Sequence, residues 1–514
     1  SSDRVVSVEL PLIELVGTVT LGGEPLIAEI EIGTGARDRW LYRSDEEGRF
    51  GGMFGSQAFC GRVSPEQIES AADLDGVRAE IDRHWDDVLG AVQVKTPDRP
   101  MDIMLNGWLL YQTLACRIWA RSAFYPASGA YGFRDQLQDV MSQVFAAPEI
   151  ARKHLLRAAR HQFEAGDVLH WWHPPRGRGV RTHCSDDLLW LVYATGRYVL
   201  ATGDTSILAV EIPFLSAPPL GTGEEDRYAL FEAGVERATL FEHCRRALDR
   251  GVTMGAHGLP LIGTGDWNDG MDRVGSEGRG ESVWLGWFVY ACTERLATLL
   301  DRVDEAAEAE RCRERLPGLR AALSEHGWDG DWYRRAFHDD GTPVGSAHSA
   351  PPHIDSIAQS WAALSGAGEP ERVARALAAV ERRLVREEDR LVLLLAPPFG
   401  PTGPNPGYIA AYPPGIRENG GQYTHAAVWV ALATALQGRG DRAARCGNDR
   451  ESRLHHQAGG RDQRQTQRRR RRLRPPGAAR ASAACRRRGW PLWESPASRA
   501  ARSPAPSARR NGTP

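Results

Sequence analysis

Between Met101 and Leu436 apolar residues return repeatedly at helical spacing, and that recurrence limits what the chain can fold into more than any other feature. The spacing predicts helices over 101–122, 140–145, 154–163, 186–201, 230–250, 284–300, 306–326, 354–364, 370–385 and 425–436, after a helical stretch at 66–89 and a connector at 92–100. Helices with an apolar stripe must bury it against one another. The loops after alternate runs are long and rich in Gly, Pro and aromatic residues, and long loops in a compact domain tend to carry function. The expectation is a mainly α toroid of helical hairpins with its site at the loop-bearing end. Ahead of it, Val5-Val6-Ser7-Val8-Glu9-Leu10 and Ile27-Ala28-Glu29-Ile30-Glu31-Ile32 alternate as strands do. A short β-rich region is therefore expected over 1–64, a helical linker over 65–100 and the helical body over 101–445.

The densest chemistry lies in Gly263-Thr264-Gly265-Asp266-Trp267-Asn268-Asp269-Gly270-Met271-Asp272, just before the apolar run at 284–300. Three carboxylates and an indole share a glycine-punctuated loop. An indole face suits the apolar face of a pyranose ring, while a neighbouring carboxyl reaches a glycosidic oxygen. The same residues also fit an ordinary turn around a buried Trp, since Asp and Asn hydrogen-bond nearby backbone.

Composition narrows the class. The chain is 42% hydrophobic and 25% charged, as soluble globular proteins are. It has no apolar run of membrane-spanning length and no signal-peptide pattern at Ser1-Ser2-Asp3-Arg4, so a cytoplasmic location is expected. Its 8 cysteines are scattered without metal-ligand spacing, and neither a metal nor an organic cofactor is expected. Charge is uneven: from Arg450 onward there are 18 arginines against 3 acidic residues. Such a stretch, 446–514, has the composition of a disordered tail. Basic tails also bind nucleic acid, but the acidic body would partly neutralise this one, and no nucleic-acid partner is expected.

Four loops act as a set: Gly132-Phe133-Arg134-Asp135-Gln136-Leu137-Gln138-Asp139; His170-Trp171-Trp172-His173-Pro174-Pro175 running on to Ser185-Asp186-Asp187; the 263–272 loop with Gly280-Glu281-Ser282; and Pro414-Gly415-Ile416-Arg417-Glu418-Asn419-Gly420-Gly421-Gln422-Tyr423-Thr424-His425. Over Trp85 to Asp441 this set resembles the cellobiose phosphorylase family of glycoside phosphorylases, glycoside hydrolase family 94. It is most similar to the catalytic part of cyclic β-1,2-glucan synthases and β-1,2-oligoglucan phosphorylases. The resemblance implies an (α/α)6 barrel, incomplete here at its C-terminal end, and a homodimer in intact members. It also implies inverting phosphorolysis, in which inorganic phosphate attacks a β-glucan and releases α-glucose 1-phosphate. It places the general acid on Asp269, the sugar-platform indole on Trp267, a sugar-binding carboxylate on Asp135 beside Arg134, and a phosphate ligand on His425.

The chemistry suits those roles. Phosphate arrives already charged, so the second, water-activating carboxyl of an inverting hydrolase can be dispensed with. Asp269 then has to be protonated near neutral pH, which calls for burial or a negative neighbour; Asp266 and bound phosphate are the candidates. Arg417, His425 and the amides of Gly420-Gly421, arranged as an anion nest, are expected to hold phosphate, and Arg134, Asp266, Arg417 and Glu418 to line the sugar site. Trp171-Trp172, bracketed by His170 and His173 in a Pro-ended loop, fit a carbohydrate subsite. Plainer alternatives stand beside these: Arg134–Asp135 as a structural ion pair, His425 as a helix-start residue, Trp171-Trp172 as core, and Asp186-Asp187 as a helix cap. Two further readings remain, a hydrolase with Asp266 or Glu281 as base, and an inactive carbohydrate-binding remnant.

Overall fold

The computed structural model describes residues 79–446 with their side chains, apart from 122–128, 175–176, 222 and 402, and the backbone of several segments outside that span. Among the latter, strands Arg4–Leu10, Ile13–Val19, Ile27–Ile32 and Ala36–Leu41 pair antiparallel in chain order, and Arg49–Phe54 pairs with Gln57–Arg62. The Arg-rich stretch from 449 onward lies outside the described residues.

The body is mostly helical. Phe133–Met141, Asp187–Thr202, Val283–Arg302, Ser356–Leu364 and Thr424–Leu436 are neighbours in that order. Each packs against the helix that follows it: Pro148–Ala159, Leu240–Gly251, Ala306–Glu314 with Leu316–Glu325, Pro370–Arg383 and Gly440–Asn448. The two sets differ in sequence for a physical reason. Asp187–Thr202 and Val283–Arg302 are apolar around most of their circumference and are buried along most of their length, which requires neighbours on several sides. Leu240–Gly251 and Pro370–Arg383 bury one stripe and turn arginines and acids outward.

The core converges on tryptophans contributed one per helix. Trp190, Trp284, Trp361 and Trp429 meet with Phe288: Trp190–Phe288 centroids are 4.4 Å apart and Trp361–Trp429 5.2 Å, edge to face. Aromatic pairs of this geometry add about 0.5–1.5 kcal/mol each beyond the burial of their area. Trp267 of the central loop joins the cluster through Trp429, at 5.2 Å, so the core and the loop are one packed unit.

Local chemistry shifts several boundaries. The helix expected over 140–145 is instead Phe133–Met141, followed by a turn. The run 230–250 is half strand, Glu232–Thr239, before helix Leu240–Gly251 begins. Thr239 caps that helix by accepting from the Glu242 amide at 3.2 Å. The run 306–326 is two helices, because Pro317 opens a new one. Residues expected as loop form strands Leu169–His173 and Arg178–Thr182, which join Asp226–Leu230 and Tyr131–Gly132 in one antiparallel sheet.

Candidate functional site

The 263–272 loop is laced to the segment before helix Asp187–Thr202. Gly263 pairs with Cys184 across an isolated bridge, and the Ser185 amide donates to Gly265 O at 3.0 Å. Gly263 has φ +60°, and a Cβ there would lie 2.2 Å from the His183 carbonyl oxygen, so only glycine permits the approach. On its other side, Gly270 packs on Ile409, and the Tyr408 amide donates to Asp272 Oδ1 at 2.9 Å.

Asp266 anchors this loop from beneath. Its carboxylate accepts from Arg335 Nη1 at 2.8 Å and Nη2 at 2.5 Å, from Ser282 Oγ at 2.7 Å and from the Asn268 amide at 3.1 Å. Ser282 also caps helix Val283–Arg302 through the Leu285 amide, so one carboxylate ties the loop to the core helix. Asp266 has no exposed surface. That corrects its expected place among the sugar ligands: the side chain cannot reach solvent, and both oxygens are engaged. Glu281 is likewise buried, held by His257 Nδ1 and the amides of His257 and Leu259, and so neither proposed hydrolytic base is open to water.

Asp269 emerges from the same loop with 39% of its side chain exposed. Arg134 Nη1 donates to its Oδ1 at 2.9 Å, and His170 Nε2 lies 3.8 Å from its Oδ2. Burial pushes the Asp269 carboxyl up, but Arg134, His170 and Arg417 outweigh it and hold it below the usual carboxylate range. The surroundings of Asp269 thus favour its ionised form, where a carboxyl raised by Asp266 was expected. The charge of Asp266, which was to raise it, is spent on Arg335.

Arg134 is buried. It grips Asp186 through Nε at 2.8 Å and Nη2 at 2.7 Å, and also donates to Asp266 O at 2.8 Å and Cys184 Sγ at 3.2 Å. Its partners are Asp186 and Asp269, not the adjacent Asp135, and its buried guanidinium positions the acid loop instead of lining a sugar pocket. Asp186 occupies the cap position of its helix without capping it; its carboxylate takes Arg134 and the Trp190 indole N–H at 2.9 Å. Asp187 accepts from His170 Nδ1 at 2.6 Å. Burial opposes a charge on His170, but Asp187 and Asp269 overcome it and raise the imidazole to about 9.

The remaining expected residues gather around this centre. Trp267 packs against Tyr423, His425 and Trp429 at 5.1, 5.6 and 5.2 Å, which leaves 7% of it exposed, a wall more than an open platform. His425, in the first turn of Thr424–Leu436, is pushed down to about 3 by burial and by Arg134 and Arg117; neutral, it offers an N–H to an anion but no charge. Asp135 keeps 43% of its side chain open, 4.0 Å from Arg117 Nη2. Arg117 in turn donates from Nε to Asp139 at 2.6 Å. Arg417 sits over Tyr412 at 4.4 Å and 3.4 Å from Glu418, whose carboxyl is raised by burial. The anion nest is not formed: the Gly420 amide donates to Glu418 O at 2.8 Å and the Gly421 amide to Arg417 O at 3.2 Å, so both are consumed by the turn itself.

The motif His170-Trp171-Trp172-His173 is divided by strand alternation. Trp172 is core, stacked on His161, whereas Trp171 packs on His173 and Tyr228, and His170 reaches the acid. The sequence alone places His170 at the edge of a carbohydrate subsite and Asp186-Asp187 at a helix cap, and does not link them to the acid, because a His beside aromatics and an Asp pair before a helix are common local patterns. The signal for them was that both stretches belong to one loop set. Ligand atoms of His170, Cys184 and Asp269 lie within 4.8 Å of one another, as metal ligands do, but Arg134 already donates to two of the three. Among the described residues, no helix is long and apolar enough to cross a membrane.

The geometry thus offers an exposed carboxylate, Asp269, backed by Arg134 and His170, with a second open carboxylate at Asp135 and an indole and a neutral imidazole nearby. The profile of the glycosyl hydrolase 94 superfamily, catalytic domain, matches residues 84–449. The chain is 49% identical over 389 residues to the cyclic β-(1,2)-glucan synthase NdvB of Rhizobium meliloti (strain 1021), covering 74% of this chain and 14% of that protein. It is 31% identical to the solabiose phosphorylase of Paenibacillus borealis, covering 68% and 42%, and 29% identical to the N,N'-diacetylchitobiose phosphorylase of Vibrio proteolyticus, covering 77% and 51%. The chain therefore spans about half the length of these phosphorylases and a seventh of the synthase. With its profile matched over most of its length and its site loops assembled at one centre, the chain belongs to the glycosyl hydrolase 94 superfamily and carries that family's catalytic domain.

Proposed function

We propose that the chain is an inverting glycoside phosphorylase or transferase domain acting on β-glucans, β-1,2-linked chains first among them, within an (α/α)6 barrel. Phosphate attacks the anomeric carbon from the face opposite the leaving sugar, Asp269 protonates the departing oxygen, and α-glucose 1-phosphate leaves. The observation that carries this reading is the state of the neighbouring acids. Asp186, Asp187, Asp266 and Glu281 are all buried and bound to Arg134, His170, Arg335 and His257, while Asp269 is open. A water-activating base is not available from Asp266 or Glu281, and a nucleophile that arrives charged removes the need for one. Asp135 is the open carboxylate for sugar hydroxyls, and Arg417 and Glu418 complete the sugar site. His425 supplies an N–H to phosphate, and the 49% identity to a β-(1,2)-glucan synthase supports the linkage.

The test is incubation with β-1,2-gluco-oligosaccharides, with and without phosphate. The expected result is phosphate-dependent α-glucose 1-phosphate, identified by proton NMR. Asp269→Asn should lower kcat by about 10²–10⁴-fold, the usual contribution of a positioned acid, while oligosaccharide binding persists. Release of free glucose at equal rates with and without phosphate would favour the hydrolase reading.

A further inference from the structure

Arg134 and His170, with Arg417 beyond them, favour the ionised form of Asp269 over the protonated one. A general acid in that state needs a donor. His170 stands in the right place: Nδ1 is fixed on Asp187 Oδ2 at 2.6 Å, and Nε2 lies 3.8 Å from Asp269 Oδ2. The clamp is rigid. Asp187 is 2% exposed at the start of helix Asp187–Thr202, and His170 is held in the sheet made by Leu169–His173 and its neighbours. The orientation sends one ring nitrogen to a buried carboxylate and the other to the acid, as when a carboxylate fixes a histidine tautomer. The charged groups facing this imidazole are Asp187, Asp269 and Arg134, with the Cys184 thiol beside them.

From this geometry, and resting on the phosphorylase reading above, we propose that His170 is the positioning and relay residue that stores the catalytic proton, with Asp187 fixing it and Asp269 delivering it. As the C1–O bond breaks, its electron pair goes to the leaving oxygen. That oxygen takes the one proton of the pair, which passes from His170 Nε2 to Asp269 and from Asp269 to the leaving oxygen. A phosphate oxygen forms the new C1–O bond. The hydrogen phosphate ester so formed returns one proton to His170, and the balance is closed.

Asp269 and His170 then titrate as a pair that shares one proton. The pair stays competent until His170 loses its proton, at about 9, instead of failing in the acid range where Asp269 alone would. The sign of the effect separates this from a purely structural role. Without His170, an acid acting alone loses a cationic neighbour, and its basic limb stays in place or moves to higher pH. A relay predicts the opposite.

The experiment compares kcat against pH for wild type, His170→Gln and Asp187→Asn, in the phosphorolysis assay. Wild-type activity is the control for the functional reading: if wild type makes no glucose 1-phosphate, that reading fails whatever the variants do. With an active wild type, the relay predicts a basic limb near 9 that drops by at least 2 pH units in His170→Gln, with kcat at pH 7.5 down about 10²-fold and KM for oligosaccharide little changed. A limb that stays or rises overturns it. Independently of activity, an NMR titration of His170 should show its pKa falling when Asp269→Asn removes the facing charge. An unmoved value also overturns the proposal.

Discussion

Replacing Asp266 by Ala tests whether the acid loop rests on a buried ion pair. Both Asp266 and Arg335 are essentially without exposed surface, at 0% and 1%. The pair makes two direct bonds, with Ser282 and the Asn268 amide completing the carboxylate. The substitution leaves a guanidinium in the core with Asp355 at 3.7 Å as its remaining acid. Removing one partner of a buried pair costs about 3–5 kcal/mol, and at about 1–1.5 °C per kcal/mol for a domain of this size melting should fall by roughly 5 °C. Fluorescence-monitored melting measures it. The double variant Asp266→Ala with Arg335→Leu should recover part of the loss, because the unpaired guanidinium is then gone, while Asp355, which loses its cation, keeps its bonds to the Ile357 and Ala358 amides. Had Asp266 been a sugar ligand, the single variant would melt like wild type and raise KM for oligosaccharide. That pattern would refute the argument.

Two further outcomes are expected. His425→Ala removes a hydrogen bond to an anion, worth about 1.5–3 kcal/mol, so KM for phosphate should rise on the order of 10–100-fold with KM for oligosaccharide nearly constant; initial-rate kinetics with each substrate varied decides it. His243 is buried against Phe214 at 3.9 Å and is pushed down to about 4 from 6.5 by burial. Between those pH values the unfolded chain takes up a proton that the folded one refuses, so stability falls as pH drops from 6.5 to 4. In His243→Gln the loss of urea midpoint between pH 7 and pH 4.5 should be smaller than in wild type; an equal loss would exclude His243 as its source.

Much of the architecture was legible because periodicity is a local signal. Val283–Arg302, Ser356–Leu364, Pro370–Arg383 and Thr424–Leu436 fall within a few residues of the apolar runs that announce them. The strand Glu232–Thr239 was not legible, since its partner, Glu211–Ser216, lies across a connection and pairing is what makes it a strand. The loop set carrying the site was visible as residues, but its wiring was not. Asp186 looks like a cap and accepts from Arg134; Gly420-Gly421 looks like an anion nest and spends its amides on its own turn.

What the sequence by itself determined is the inventory: a helical body, a glycine-rich loop bearing Asp266, Trp267 and Asp269, and three other polar loops able to meet it. Which carboxylate is buried, which is open and which nitrogen of His170 faces which acid were decided only by the tertiary structure. The reason is physical: ionisation and hydrogen-bond pairing depend on burial and on charges a few ångströms away, and the groups that set them for Asp269 come from residues 134, 170 and 417, distant in sequence and brought together by folding.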